Sequence, residues 1–188
     1  IARMRPPPLV VAIDGRSGAG KTTIATELAA GLGAVVINGD DFYNATMTDR
    51  DWDMRDASER ARDVIDWKRM REEAIGPLRQ GADAQWTTYD YERGPYPDGS
   101  YPMSRTVAVK SHPVILIDGA YSGRPELADL VDVSVLVEAD DVVRRRRLAS
   151  REDPAFLEQW HLRWDDAEMH YFANIRPRES FDILVQVE

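Results

Sequence analysis

The chain has 188 residues, 43% hydrophobic and 30% charged, with a net charge of −9 and no cysteine. That length suits one domain with a real core, while the acidic balance argues against a surface built to track nucleic-acid backbones. The missing cysteine excludes a disulfide framework, a thiolate metal site and a catalytic thiol, and no apolar run reaches the ~18 residues of a membrane span.

Along the chain, short apolar runs alternate with helical periodicity. Leu9 to Ile13 reads as a buried strand, Lys21 to Leu32 as a helix, and "AVVING" at 34–39 as a second strand. A polar stretch, Asp40 to Asp56, leads into a helical run from about Ser58 to Arg79, where Gly76-Pro77 is a candidate break. "AQWTTYDY" and "RTVAVK" read as short strands flanking a Pro/Gly/Tyr-rich excursion, Gly94 to Pro102, the expected mobile loop. "PVILID" at 113–118 is another buried strand. A brief helix near Pro125 to Leu130 precedes the strand "VDVSVLVEA". Helical stretches at Asp140 to Arg151 and about Pro154 to Ile175 follow, and "FDILVQV" closes the series. Near-continuous apolar strands alternating with helices predict an α/β fold with a parallel sheet covered on both faces.

Between the first strand and helix lies "GRSGAGKTT", with Gly15, Gly20, Lys21 and Thr22 in the pattern G-x-x-x-x-G-K-[ST]. Glycines there let successive N–H groups face one concavity at a positive helix end, which is an anion nest. The expected phosphate cradle is Gly15, Ser17, Gly18, Ala19, Gly20, Lys21, Thr22 and Thr23. Lys21 would reach the β- and γ-phosphates, and the Thr22 hydroxyl would hold Mg²⁺. A dinucleotide fingerprint starting at Gly18 would need glycine at Thr23, and a nucleophile elbow at Ser17 would need it at Ala19.

Acids follow at strand ends. Asp40 and Asp41 close the second strand, where a carboxylate can take the proton of an attacking hydroxyl or merely cap a turn. "DWD" at 51–53 could hold vicinal hydroxyls or be a solvated loop around a buried Trp. Asp118 ends the "ILID" strand, a suitable place for a Mg²⁺-holding carboxylate, with Asp14 as competitor. Arg144, Arg147 and Arg151 lie at i, i+3 and i+7 and share one helix face, leaving Arg145 and Arg146 to solvent. Guanidinium groups so placed can balance the charge of a transferring phosphoryl group. His112, His161 and His170 lack a zinc-binding spacing and read as structural.

These residues in order resemble the uridine kinase-like branch of P-loop kinases, which includes nicotinamide riboside kinases and is related to phosphoribulokinase. The resemblance runs through "GRSGAGKTT", "GDDFY", "DWDMRDA", "YDY", "VILIDG", "VEADDVVRRRRLASRE" and "RPRESFDILV". It implies a P-loop NTPase fold of one domain over 1–188 with about five parallel strands and a small helical lid around 144–160. It further implies ATP and Mg²⁺ and a small nucleoside-like hydroxyl acceptor. The acidic balance argues against nucleic acid, and with no membrane span or signal-like start a cytoplasmic setting is the default expectation, a homo-oligomer being left open. Residue by residue it makes Asp40 the base, Asp53 a ribose ligand, Tyr43 and Tyr89 pocket walls, and Arg144, Arg147 and Arg151 lid arginines. The family's Glu is Asp118 here, its proline after the ribose aspartate is Arg55, and the histidine that reads pyrimidines after the Tyr-Asp pair is missing. Arg93 is the nearest polar alternative. Pantothenate, nicotinamide riboside or a sugar are the other acceptors, and a regulatory NTPase is the reading from another class.

Overall fold

A computed structural model of the chain describes residues 8–151, 154, 157–158 and 161–188. Five parallel strands form the central sheet in the order β2-β5-β1-β6-β7: β1 Leu9–Asp14, β2 Val35–Asn38, β5 Val114–Asp118, β6 Val133–Ala139 and β7 Ile183–Val187. The strands are apolar runs because helices cover both faces. Along β5, Ile115 and Ile117 enter one core cluster with Val10 and Ile37, while Leu116 enters the other with Ile13, Ala25 and Val135.

Register brings the site together. Ile13 and Asn38 both pair with Asp118, so the carboxyl ends of β1, β2 and β5 open on one crevice, the usual ligand position in such sheets. Into that crevice run the loop preceding α1 Lys21–Leu32 and a 3₁₀ turn, Gly39–Phe42, after β2. A separate antiparallel hairpin, β3 Ala84–Tyr89 and β4 Met103–Val109, stands beside it.

The polar stretch after β2 holds two short helices, α2 Asp49–Met54 and α3 Ala57–Asp63. Each opens on a reciprocal capping box, Thr48 with Asp51 and Asp56 with Glu59. The next helical segment does not break at Gly76-Pro77. It runs from α4 Trp67–Arg69 through a π turn, Met70–Ile75, into α5 Gly76–Arg79. A π turn widens the backbone just ahead of Pro77, which cannot donate an N–H and crowds the preceding turn. A Cβ on Gly76 would meet the Arg71 carbonyl oxygen at 2.8 Å, so glycine is what lets the segment continue. The interruption lies earlier, at Val64 to Asp66, where Ile65 forms a β-bridge with Tyr43.

After β6, α6 Asp141–Arg151 carries the arginine run. Much of the expected lid past Arg151 lies outside the described residues. From His161 the chain is helical again, through a π turn His161–Asp165, α7 Asp166–His170 and a second π turn Tyr171–Ile175. Among the described residues no helix is long and apolar enough to cross a membrane.

Candidate active site

The loop before α1 requires its glycines. A Cβ at Gly15 would lie 2.2 Å from the Val137 carbonyl oxygen, and one at Gly18 would lie 2.7 Å from that of Arg144. Both also hold positive φ, 145° and 78°, where side chains are strained. Helix α1 begins at Lys21 with no side-chain cap and no acid in its first turn, so its N–H groups and positive end stay open to an anion. The Lys21 ammonium is folded onto the loop, donating to the Gly15 carbonyl at 2.8 Å and that of Arg16 at 3.2 Å.

A cavity of about 660 Å³ starts at this loop and extends past β2 toward the hairpin. Its inner end holds Lys21, Thr22, Asp40 and Asp118. Asp118 is buried, its Oδ1 has no partner among the described residues, and its carboxyl faces the Thr22 hydroxyl. Burial raises its pKa, and Thr22 and Lys21 pull it back. An orphaned carboxylate oxygen beside a P-loop hydroxyl is a fitting donor set for Mg²⁺, which takes one or two protein oxygens and fills the rest with water and phosphate. Asp40 is exposed, but it opens into the cavity, whose walls surround it with protein. That desolvation raises its pKa, Lys21 and Arg151 lower it, and Asp118 raises it further. Asp41 turns away, accepting from the Trp86 indole at 2.8 Å.

The outer end is aromatic. Tyr43 and Tyr89 pack at 5.5 Å between ring centroids, Tyr89 and Tyr101 at 5.2 Å, and Trp52 meets Trp164 edge-on at 5.2 Å. Asp49 and Arg163 supply the polar groups there. Asp53 does not line this cavity; its carboxylate accepts from the Arg163 Nε and Nη2 at 3.1 and 2.9 Å. Arg93 is exposed and also lies off the cavity wall.

The three α6 arginines expected to share a face divide. Arg144 is buried, and its Nη1 donates to the Ser17 carbonyl at 2.7 Å. The Nη1 of Arg147 reaches the Gly18 and Ala19 carbonyls at 3.3 and 3.2 Å. Both brace the outside of the loop, and only Arg151 lines the cavity. Asp14 is saturated. Gly15 N, Tyr121 N, Gly123 N and the Tyr171 hydroxyl all donate to it within 2.9 Å. It therefore has no capacity left for a metal or a substrate proton.

Residues 10–153 match the model of the phosphoribulokinase/uridine kinase family. The chain belongs to that family. It is 30% identical to a uridine kinase of Leuconostoc citreum over 77% of this chain and 69% of that one. A uridine kinase of Halobacterium salinarum is 29% identical over 78% of this chain and 63% of its own length, so the chain spans less than two thirds of that relative. Among solved structures, a protein from Bacillus stearothermophilus described as a possible uridine kinase superposes with a TM-score of 0.70 at 22% identity, covering 98% of this chain and 91% of that one. The D-glycerate 3-kinase of Cryptococcus neoformans superposes with a TM-score of 0.61 at 16% identity, covering 99% and 88%. These likenesses show the P-loop kinase fold, and family membership makes the chain a phosphotransferase of the nucleotide-using kind.

Several cavity residues carried no sequence signal. Glu168, fully buried on α7, accepts from the Ser17 N–H at 3.0 Å and the Ser17 hydroxyl at 2.6 Å, tying the last helix to the phosphate loop. Arg163 and Glu168 lie beyond the segment that matches the family, in a stretch whose side chains follow no motif. Asp49 and Tyr101 sit in loops or caps whose composition looks ordinary.

Proposed function

We propose that the protein is an ATP-dependent kinase that transfers the γ-phosphoryl group to a primary hydroxyl, foremost the 5′-OH of a ribonucleoside, in the cytoplasm. The observation that carries this is a single cavity with the phosphate loop, the uncapped end of α1 and Lys21 at one end, an aromatic box at the other, and Asp40 at the loop end. The acceptor's flat ring packs among Tyr43, Tyr89 and Tyr101 and its hydroxyl reaches toward Asp40. The hydroxyl oxygen forms the new bond to γ-phosphorus as the bond to the β–γ bridging oxygen breaks, ADP leaves, and the hydroxyl proton passes to the Asp40 carboxylate. Lys21 and the open N–H groups of α1 hold the phosphate charge, and Arg151 faces the same space. Thr22 and Asp118 would hold Mg²⁺, which when bound offsets negative charge on the phosphates.

The test is ADP release measured with a coupled assay over ribonucleosides, nicotinamide riboside, pantothenate and sugars, against a blank without acceptor. Turnover that depends on an added ribosyl compound is expected. Equal ADP release in the blank would show water as acceptor and overturn the reading.

A further inference from the structure

We propose that Arg163 and Asp49 read the edge of the acceptor's planar ring, with Asp53 positioning Arg163. The inference rests on the kinase reading above and specifies its acceptor end. Arg163 and Asp49 line the same cavity as Tyr89 and Tyr101, and both act on the charge of those two phenols. The pair therefore stands beside the aromatic stack.

Its hydrogen bonding leaves capacity. Arg163 gives Nε–H and one Nη2–H to Asp53 Oδ1 and one Nη1–H to Asp49 Oδ1 at 2.8 Å. Each terminal nitrogen carries a second N–H. Among the described residues Asp49 is engaged through Oδ1 alone, so Oδ2 can accept. A guanidinium donor next to a carboxylate acceptor, at the rim of stacked rings, matches a ring edge that shows an N–H beside a carbonyl or ring nitrogen. Uracil, cytosine, adenine, guanine and a nicotinamide carboxamide offer such an edge; sugars do not. A second aspartate on the guanidinium fixes its plane, because Asp53, which does not line the cavity, holds Nε and Nη2.

The experiment compares kcat/KM for uridine with 3-methyluridine, which lacks the ring N–H, and for adenosine with purine riboside, which lacks the exocyclic amine. D-ribose, which has no base, is the reference. In the full-length wild type, at least one pair should differ by roughly 10- to 100-fold, the range for a hydrogen bond to a charged group. Asp49→Ala should bring that ratio to near one while leaving the KM for ATP unchanged. Asp49 opens a helix capped by Thr48, so alanine there leaves the cap in place. Arg163→Lys, which keeps the charge and loses the fork, should do the same. Asp53→Asn should reduce the ratio, and the double variant Asp53→Asn/Arg163→Lys should be no worse than Arg163→Lys alone, because both act through one guanidinium. An unchanged ratio in Asp49→Ala and Arg163→Lys overturns the edge-reading role while the kinase reading stands. So does an equal loss on nucleosides, D-ribose and ATP, which marks a purely structural role. A wild type that turns over none of these acceptors overturns the ribonucleoside assignment and the inference with it, while acceptor-independent ADP release overturns the kinase reading itself.

Discussion

Asp40 is the residue at which chemistry and stability pull in opposite directions. Its pKa in the folded protein is raised above the ordinary carboxylate value, chiefly by desolvation. A carboxyl whose folded pKa exceeds its unfolded one binds its proton more tightly when folded, so above both values the ionised form costs stability. Asp40→Asn should therefore keep or raise Tm at neutral pH while lowering kcat about 10²–10⁴-fold, the usual worth of general-base catalysis. Affinity for ATP should be nearly unchanged. The working form is the carboxylate, so the kcat–pH profile of the wild type should fall on its acid side at a pH above the 3.8 of an ordinary aspartate. Asp40→Asn should lose that limb. Asp41→Asn is the control, since its carboxylate serves the Trp86 indole on the other side of the turn. A crippled Asp41→Asn beside a mild Asp40→Asn would mean that the base has been misassigned. At the same scale, Lys21→Ala should lower kcat/KM at least about 10²-fold, as loss of a transition-state donor does, with the circular dichroism spectrum retained.

At the scale of elements, helix α6 combines two tasks on one face. Arg144 and Arg147 hold the carbonyls of Ser17, Gly18 and Ala19, and the helix backbone presses on Gly18. Arg151, one turn further on, faces the cavity. Arg144→Ala should cost about 1–3 kcal/mol, because the half-buried Ser17 carbonyl loses a charged donor whose own side chain is buried. That appears as a Tm lower by roughly 2–4 °C per kcal/mol in a protein of this size. Arg151→Ala should instead lower kcat far beyond any change in Tm, and Arg145→Ala should change neither. A loss of stability in Arg151→Ala equal to that in Arg144→Ala would show that both merely brace the loop. The shared face was legible in the sequence because spacing fixes it; the division of labour was not, since spacing cannot tell which turn meets the loop. The five sheet strands were legible for a similar reason. β1, β5 and β6 are largely buried, so their apolar runs are nearly unbroken, while the edge strand β7 stays readable from its apolar composition although Ile183 and Leu184 are exposed. Gly76-Pro77 was misleading because the π turn ahead of it absorbs the proline, and a π turn has no sequence signature. The phosphate loop and Asp40 could be read from local motifs, whereas Arg163 and Glu168 reach the cavity only through the packing of the last helix. Asp53 sits at the expected place in the chain, yet the structure gives its carboxylate to Arg163.

Over the whole molecule, the last helical segment closes the site from behind by linking parts of the chain far apart in sequence. Glu168 holds Ser17, and the Tyr171 hydroxyl donates to Asp14 Oδ2 at 2.7 Å. Asp14 in turn fixes the N–H groups of Gly15, Tyr121 and Gly123, so one buried carboxylate joins β1, the phosphate loop and the turn after β5. Tyr121 sits at φ 71°, a strained value for a side-chain-bearing residue, and its N–H bond to Asp14 is among the contacts that hold it there. Burial raises the Asp14 pKa, and the hydrogen bond from Tyr171 is the largest influence pulling it back. Tyr171→Phe removes that donor without changing the ring that packs on Tyr121 at 4.9 Å. The variant should lose about 1–3 kcal/mol, the worth of a buried hydrogen bond to a charged acceptor. The Asp14 pKa should rise further in the folded state, so ionising it then costs more. The deficit relative to wild type is therefore largest at neutral pH and shrinks as the pH falls through the folded-state pKa and Asp14 takes a proton. Chemical denaturation of both proteins across that range measures it. A deficit that stays constant with pH would place the cost in packing rather than in the Asp14 carboxylate. A KM for the acceptor that rises in step with the lost stability would place Tyr171 in substrate binding, where no cavity contact puts it.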